Sequence, residues 1–212
     1  MILDNILIDG NVEAKTLLIL AHGAGAPMDS IFMNTIVKGI IERDIFVIRF
    51  EFPYMLKRRL GKKSFPDKIP SLCLFYKDIY RQIKNIFPKK DIWLGGKSMG
   101  GRVSAIISKE IDVKGVIVLG YPFHTVNNKD KLRLDCLQNE GPPILIIQGT
   151  RDKFGSINEV NNLYLNEKNS IFWIEDGDHS FSTLKKSRNN SEDSIKNAYF
   201  KVSDFILEGT SN

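Results

Sequence analysis

A chain of 212 residues with 42% hydrophobic content holds enough apolar material for one α/β domain with a full core, so residues 1–212 are expected to form a single domain. Thirty Lys and Arg against 25 Asp and Glu leave a net charge of +5, and no apolar run approaches the ~20 residues of a membrane span. Two cysteines exclude a disulfide framework.

Apolar runs and helical stripes alternate along the chain. Met1-Ile2-Leu3-Asp4-Asn5-Ile6 lacks the basic and apolar regions of a secretory leader, and with the two cysteines it sets the expectation of a soluble, cytoplasmic protein. A short strand is expected around Ile6-Leu7-Ile8, followed by a strand over Thr16–Ala21. The next segment, His22-Gly23-Ala24-Gly25-Ala26-Pro27, consists largely of small residues. A dinucleotide fingerprint would need a third glycine at position 28, where Met28 stands, and there is no P-loop lysine pattern. A helix is expected from about Ile31 to Arg43, with Phe32, Met33, Ile36, Val37, Ile40 and Ile41 on one face, and then a strand at Ile45–Ile48.

The stretch from Phe52 to Pro70 reads as irregular. Its Lys57-Arg58-Arg59 and Lys62-Lys63 are expected to be solvated, because no set of stacking aromatics interleaves with them as a nucleic-acid surface would require. After Pro70 a helix carries Leu72, Phe75, Tyr76, Ile79, Tyr80 and Ile83, with Cys73 in its core stripe. Ile92-Trp93-Leu94 has strand character, and a helix follows from Arg102. Between them lies Gly96-Lys97-Ser98-Met99-Gly100. A serine at a sharp strand-to-helix turn, with glycine two residues to either side, fits a nucleophile elbow. Val116–Leu119 is a buried run. The connection from Tyr121 to Pro143 is too short for a separate cap domain, but its Phe123 and His124, together with Tyr54, are candidate walls of a substrate pocket. Cys136 falls in its charged part. Ile144–Ile147 is a further buried strand, Ser156 with Glu159 forms a capping box, Ile171–Ile174 is the last strand, and Ile195 to Ile206 supply the stripe of the last helix. Such alternation requires a mostly parallel sheet covered by helices on both faces, with ligands bound beyond the carboxyl ends of the strands.

A serine nucleophile needs a base, an orienter for the base and an oxyanion hole. Of three histidines, only His179 follows the last strand, in Asp176-Gly177-Asp178-His179-Ser180-Phe181, where it can reach back over the sheet edge. Asp152 lies on the loop after Ile144–Ile147 and is the candidate orienter. Asp178 is its rival, but neighbours in an extended loop point in opposite directions. The oxyanion donors are expected to be the N–H of Met99 and one from Ala24 or Gly25. The acids and histidines show no metal-ligand spacing, so neither a metal nor another cofactor is expected. The expected partner is a small-molecule substrate, without nucleic acid or membrane.

Four segments carry a family resemblance: His22 to Asp29, Arg49-Phe50-Glu51-Phe52-Pro53-Tyr54-Met55, Gly95-Gly96-Lys97-Ser98-Met99-Gly100-Gly101-Arg102 and Gly177-Asp178-His179-Ser180-Phe181. Together they resemble the small α/β-hydrolase-like proteins related to dienelactone hydrolases, a group that includes a testis-expressed hydrolase-like protein and a scaffold subunit of a nuclear acetyltransferase complex. The resemblance implies an α/β-hydrolase fold without a large cap domain and a Ser98-Asp152-His179 triad cleaving small ester-like substrates. Dienelactone hydrolases use cysteine as nucleophile, whereas this chain has Ser98. Relatives that serve as scaffolds keep a non-catalytic binding role as the alternative, and a thioesterase or peptidase would use the same site.

Overall fold

Seven segments rich in β-branched and aliphatic residues pair into one sheet of order β1-β3-β2-β4-β5-β6-β7 in the computed structural model, which describes residues 5–188 and 190–210. The strands are β1 (Ile6–Asp9), β2 (Thr16–Ala21), β3 (Phe46–Phe50), β4 (Asp91–Lys97), β5 (Val116–Leu119), β6 (Ile144–Gly149) and β7 (Ser170–Ile174). Every neighbouring pair is parallel except β1 with β3. β2, β3, β5 and β6 are buried from end to end and β4 is buried at all but its two terminal residues, the mark of a parallel sheet covered on both faces. Residues 1–4 of the N-terminal stretch lie outside the described residues.

The period-two alternation of a strand sorts the core into faces. Leu17, Ile19 and Ala21 pack with α3 (Ile69–Ile86) and α4 (Met99–Ile107) on one side. Leu18 and Leu20 pack with α1 (Ile31–Ile41) and α7 (Ser191–Thr210) on the other. The side chain of Ser30 caps α1, accepting from the Met33 N–H at 3.5 Å, and the Ser156–Glu159 capping box opens the short α6 (Ile157–Val160).

Two connections read as irregular contain helices. The stretch after Phe52 forms α2 (Pro53–Arg59), started by a proline at its first turn, where a missing N–H costs nothing. The stretch after Tyr121 holds α5 (Asp135–Gln138), which buries Cys136 in a satellite core instead of leaving it in a charged connection. Both segments lack a long apolar stripe, so packing against the sheet decides their conformation. The inserts between strands are short and build no cap domain among the described residues. No helix there is long and apolar enough to cross a membrane.

This strand order creates the site. From β2 the chain turns outward to α1 and β3. From the adjacent β4 it turns the opposite way to α4 and β5. The loops leaving the carboxyl ends of β2 and β4 therefore diverge, and a crevice opens at this reversal of direction.

Candidate active site

Ser98 sits at the junction of β4 and α4 with φ 51° and ψ −109°, a conformation that L side chains rarely adopt. The tight turn is possible because glycines surround it. A Cβ on Gly96 would lie 2.4 Å from the backbone carbon of Gly100, and one on Gly100 would lie 2.5 Å from the carbonyl oxygen of His22. The turn is held by a hydrogen bond from the Ser98 N–H to the Leu119 carbonyl at 3.0 Å and by one from the Arg102 N–H to the Ser98 carbonyl at 2.9 Å. It places Ser98 on the wall of a cavity of about 290 Å³.

His179 lines the same cavity. Its Nδ1 lies 2.7 Å from Oδ2 of Asp152. Asp152 is buried and has further donors: Gln148 Nε2 to Oδ2 at 3.0 Å and the Phe154 N–H to Oδ1 at 2.8 Å. An ionised carboxylate accepts only, so the imidazole proton sits on Nδ1 and Nε2 is the basic nitrogen. Burial is the largest influence on His179 and lowers its pKa, while the bond to Asp152 opposes it. The Phe154 ring packs 4.5 Å from the imidazole, centroid to centroid. Ser98 Oγ makes no hydrogen bond among the described residues. Such contacts are often open without substrate and close in the reacting complex.

Two backbone bonds tie the acid loop to the histidine loop, from Thr150 N–H to the Ile174 carbonyl at 3.0 Å and from Arg151 N–H to the Gly177 carbonyl at 2.9 Å. The rival carboxylate, Asp178, is spent on its own turn, accepting from the N–H groups of Ser180 and Ser182 at 2.7 and 3.0 Å.

The opposite wall is the loop from Gly23 to Ala26. Its carbonyls are anchored from behind. The Gly23 carbonyl accepts from Tyr54 Oη at 3.0 Å and lies 2.7 Å from His22 Nδ1. The Ala24 carbonyl accepts from Tyr54 Oη and from an Arg58 Nη, each at 3.2 Å. In a trans peptide the following N–H points away from the carbonyl. Anchoring these two carbonyls on the Tyr54 side therefore aims the Ala24 and Gly25 N–H groups to the other side. Neither of them, nor the Met99 N–H, meets an acceptor among the described residues. His22 is locked as well: its Nε2 accepts from the Phe52 N–H at 3.0 Å, and burial holds its pKa low.

Three expected pocket residues stand elsewhere. Tyr54 is fully buried behind the loop and does not line the cavity. Phe123 is fully buried against Tyr121, 4.9 Å between ring centroids. His124 is buried beside it, its Nδ1 3.0 Å from the Thr125 carbonyl. The chain leaving β5 turns these side chains into the satellite core. The apolar lining comes instead from Phe32, Met33 and Phe154. In the basic cluster Lys57, Lys62 and Lys63 are exposed, as the solvated reading expects, but the two arginines are engaged. Arg58 reaches the Ala24 carbonyl, and Arg59 bonds the buried Glu51 and, at 2.6 Å, Asp29. Glu51 in turn accepts from the Met28 N–H at 2.9 Å. Arg49 grips the Met28 carbonyl at 2.8 Å while forking onto Asp9 at 2.9 Å. The run from Arg49 to Arg59 thus braces the whole loop from His22 to Asp29. Among the described residues no group of three or more His, Cys, Asp or Glu could hold a metal ion.

The fold has counterparts among solved structures. An alpha-beta serine hydrolase homologue from Coxiella burnetii shares 18% identity at a TM-score of 0.69, with 96% of this chain and 89% of that one covered. XC6422 from Xanthomonas campestris, a member of a/b serine hydrolase without lid, shares 16% identity at a TM-score of 0.69, over 97% and 87% of the two chains. A dienelactone hydrolase from Anabaena variabilis shares 14% identity at a TM-score of 0.73, over 96% and 90%. At these identities the likeness is one of fold. The sequence itself matches the family model for the alpha/beta hydrolase domain over residues 14–207, and the chain belongs to that family.

Proposed function

We propose that this hydrolase is a serine esterase acting on small, ester-like substrates through an acyl-enzyme. The observation that carries the reading is the 2.7 Å contact between His179 Nδ1 and a buried Asp152, which leaves Nε2 as the free base in a cavity shared with Ser98. Ser98 Oγ attacks the substrate carbonyl as His179 Nε2 takes its proton. The carbonyl electrons move to oxygen, which the N–H groups of Met99 and of Ala24 or Gly25 stabilise; each donor contributes about 3–4 kcal/mol in comparable sites. Collapse of this intermediate expels the alcohol, protonated by His179, and leaves Ser98 acylated. Water then repeats the sequence, releasing the acid and restoring the serine.

The cavity holds only about 290 Å³ and the described residues build no cap domain over it, which suits small soluble acyl groups better than long chains. Thioesters and peptides offer the same electrophilic carbon, so they belong in the same substrate panel as the esters. The two free, buried cysteines fit a reducing compartment, and we assign the chain to the cytoplasm.

Labelling by a fluorophosphonate tests the reading. The wild-type protein is expected to be labelled at Ser98 and Ser98→Ala to lose the label entirely. A label retained by Ser98→Ala moves the nucleophile elsewhere, and an unlabelled wild type favours a non-catalytic binding role. A panel of short-chain nitrophenyl esters, thioesters and peptides then ranks the leaving groups.

A further inference from the structure

The residue before the nucleophile is a lysine, half-buried on the wall of the cavity that Ser98 and His179 also line. Lys97 ends β4, and its side chain passes under the histidine loop. Nζ donates to the main-chain carbonyl of His179. Two aromatic faces enclose it, Phe32 at 5.4 Å and Phe181 at 5.7 Å from Nζ to ring centroid. Gly120 adjoins it, where a Cβ would lie 2.7 Å from Nζ, and the cavity lies on a further side. Among the described residues no carboxylate comes within 4.0 Å of this ammonium to form an ion pair. Asp152 and Asp178 attract it from farther away, but one is bonded to the imidazole and the other to its own turn.

A charge kept in such a slot needs a role. Burial of an unpaired ammonium is costly, and an uncharged residue of the same length would fill the space more cheaply. Carbonyl and ring faces recover part of that cost. We propose that Lys97 is a positioning residue of this site: it pins the carbonyl of His179 to the strand that presents Ser98, and it holds a positive charge beside the imidazole. The inference rests on the esterase reading and deepens it. The geometric part follows from connectivity. Ser98 is the next residue after Lys97, so one hydrogen bond links the chain segments of nucleophile and base. It acts within the histidine loop, two residues ahead of Phe181 at φ 65°.

The electrostatic part follows from the charges around His179. Asp152, from the loop after β6, and Asp178, from its own loop, favour the imidazolium, and Lys97, from β4, disfavours it. Burial is the main cause that lowers the His179 pKa, and the ammonium adds to it by offsetting part of the pull of the two carboxylates. Burial also pulls the lysine itself down to about 8, with the two aspartates resisting.

The test compares Lys97→Met, which keeps length and loses charge, with Lys97→Arg, which keeps charge and donor. Two titrations are read for each: the imidazole NMR signal of His179, one of three histidines, and the pH dependence of the fluorophosphonate labelling rate. Lys97→Met is expected to raise the His179 midpoint by about half a pH unit or more, to move the acid limb of labelling by the same amount, and to slow labelling at the plateau about tenfold. Lys97→Arg is expected to keep the midpoint and limb near wild type. A folded Lys97→Met with midpoint, limb and plateau unchanged overturns the proposal, as does an arginine variant that behaves like the methionine one. A wild type that is never labelled, whose imidazole midpoint still rises in Lys97→Met, sinks the esterase reading and leaves the coupling of Lys97 to His179 standing.

Discussion

Asp152 shows how much one side chain depends on its setting. The carboxylate is buried, yet three donors reach it, and one of them is the histidine. Replacing it with asparagine keeps the shape and removes the charge that stabilises an imidazolium. Asp152→Asn is expected to lower kcat by about 10⁴, with KM little changed, in ester hydrolysis or labelling. The pH profile is argued from the same contact. Burial lowers the pKa of His179 more than Asp152 raises it, so the acid limb of kcat/KM should lie below the ordinary histidine value of 6.5. Activity lost above that value on acidification would contradict the reading. The tight turn at Ser98 was legible at this scale because its glycine spacing is a local steric requirement. Tyr54, Phe123 and His124 were not, because sequence shows that a residue lies near the carboxyl end of a strand but not which way its side chain turns.

Among the elements, α2 is the one whose role emerges only in three dimensions. It is short, its last turn carries three cations, and in isolation it has little to stabilise it. In place, it holds the loop after β2 from behind through Tyr54, Arg58 and Arg59. A basic run on a short segment reads as a solvated face because the acceptors it serves are distant in sequence: Ala24 lies 34 residues from Arg58. Tyr54→Phe removes the hydroxyl that anchors two carbonyls and frees the peptide planes that aim the Ala24 and Gly25 N–H groups. The expected result is a three- to tenfold loss of kcat, about the worth of one hydrogen bond, with KM nearly constant. A rise in KM alone would assign Tyr54 to substrate contact instead. By contrast α1, α3 and α7 were readable from their stripes, since a long apolar periodicity has one way to be buried.

For the whole molecule, a buried histidine, His22, and a half-buried one, His179, couple stability to pH. Burial lowers the pKa of both His22 and His179 from 6.5. Below about pH 6.5 the unfolded chain therefore binds more protons than the folded one, and stability falls as pH is lowered. Thermal unfolding followed from about pH 7 to 5 should show a falling midpoint, and the fall should be shallower in His179→Gln. A midpoint flat across this range would mean that neither ring resists protonation. The alternation of strands and helices already dictates a parallel sheet with covered faces, because continuous apolar strands cannot face water and parallel neighbours need crossovers. The glycines around Ser98 likewise dictate a tight turn there, since no larger residue fits. What the tertiary structure decided is which loops meet. The order β2-β4-β5-β6-β7 brings the ends of β2, β4, β6 and β7 to one edge of the sheet. There a tyrosine and two arginines brace a loop far away in the chain, and a lysine slips beneath the histidine. Local sequence specifies backbone conformation through sterics and periodicity, whereas contacts between distant residues arise only once packing has chosen the order of the strands.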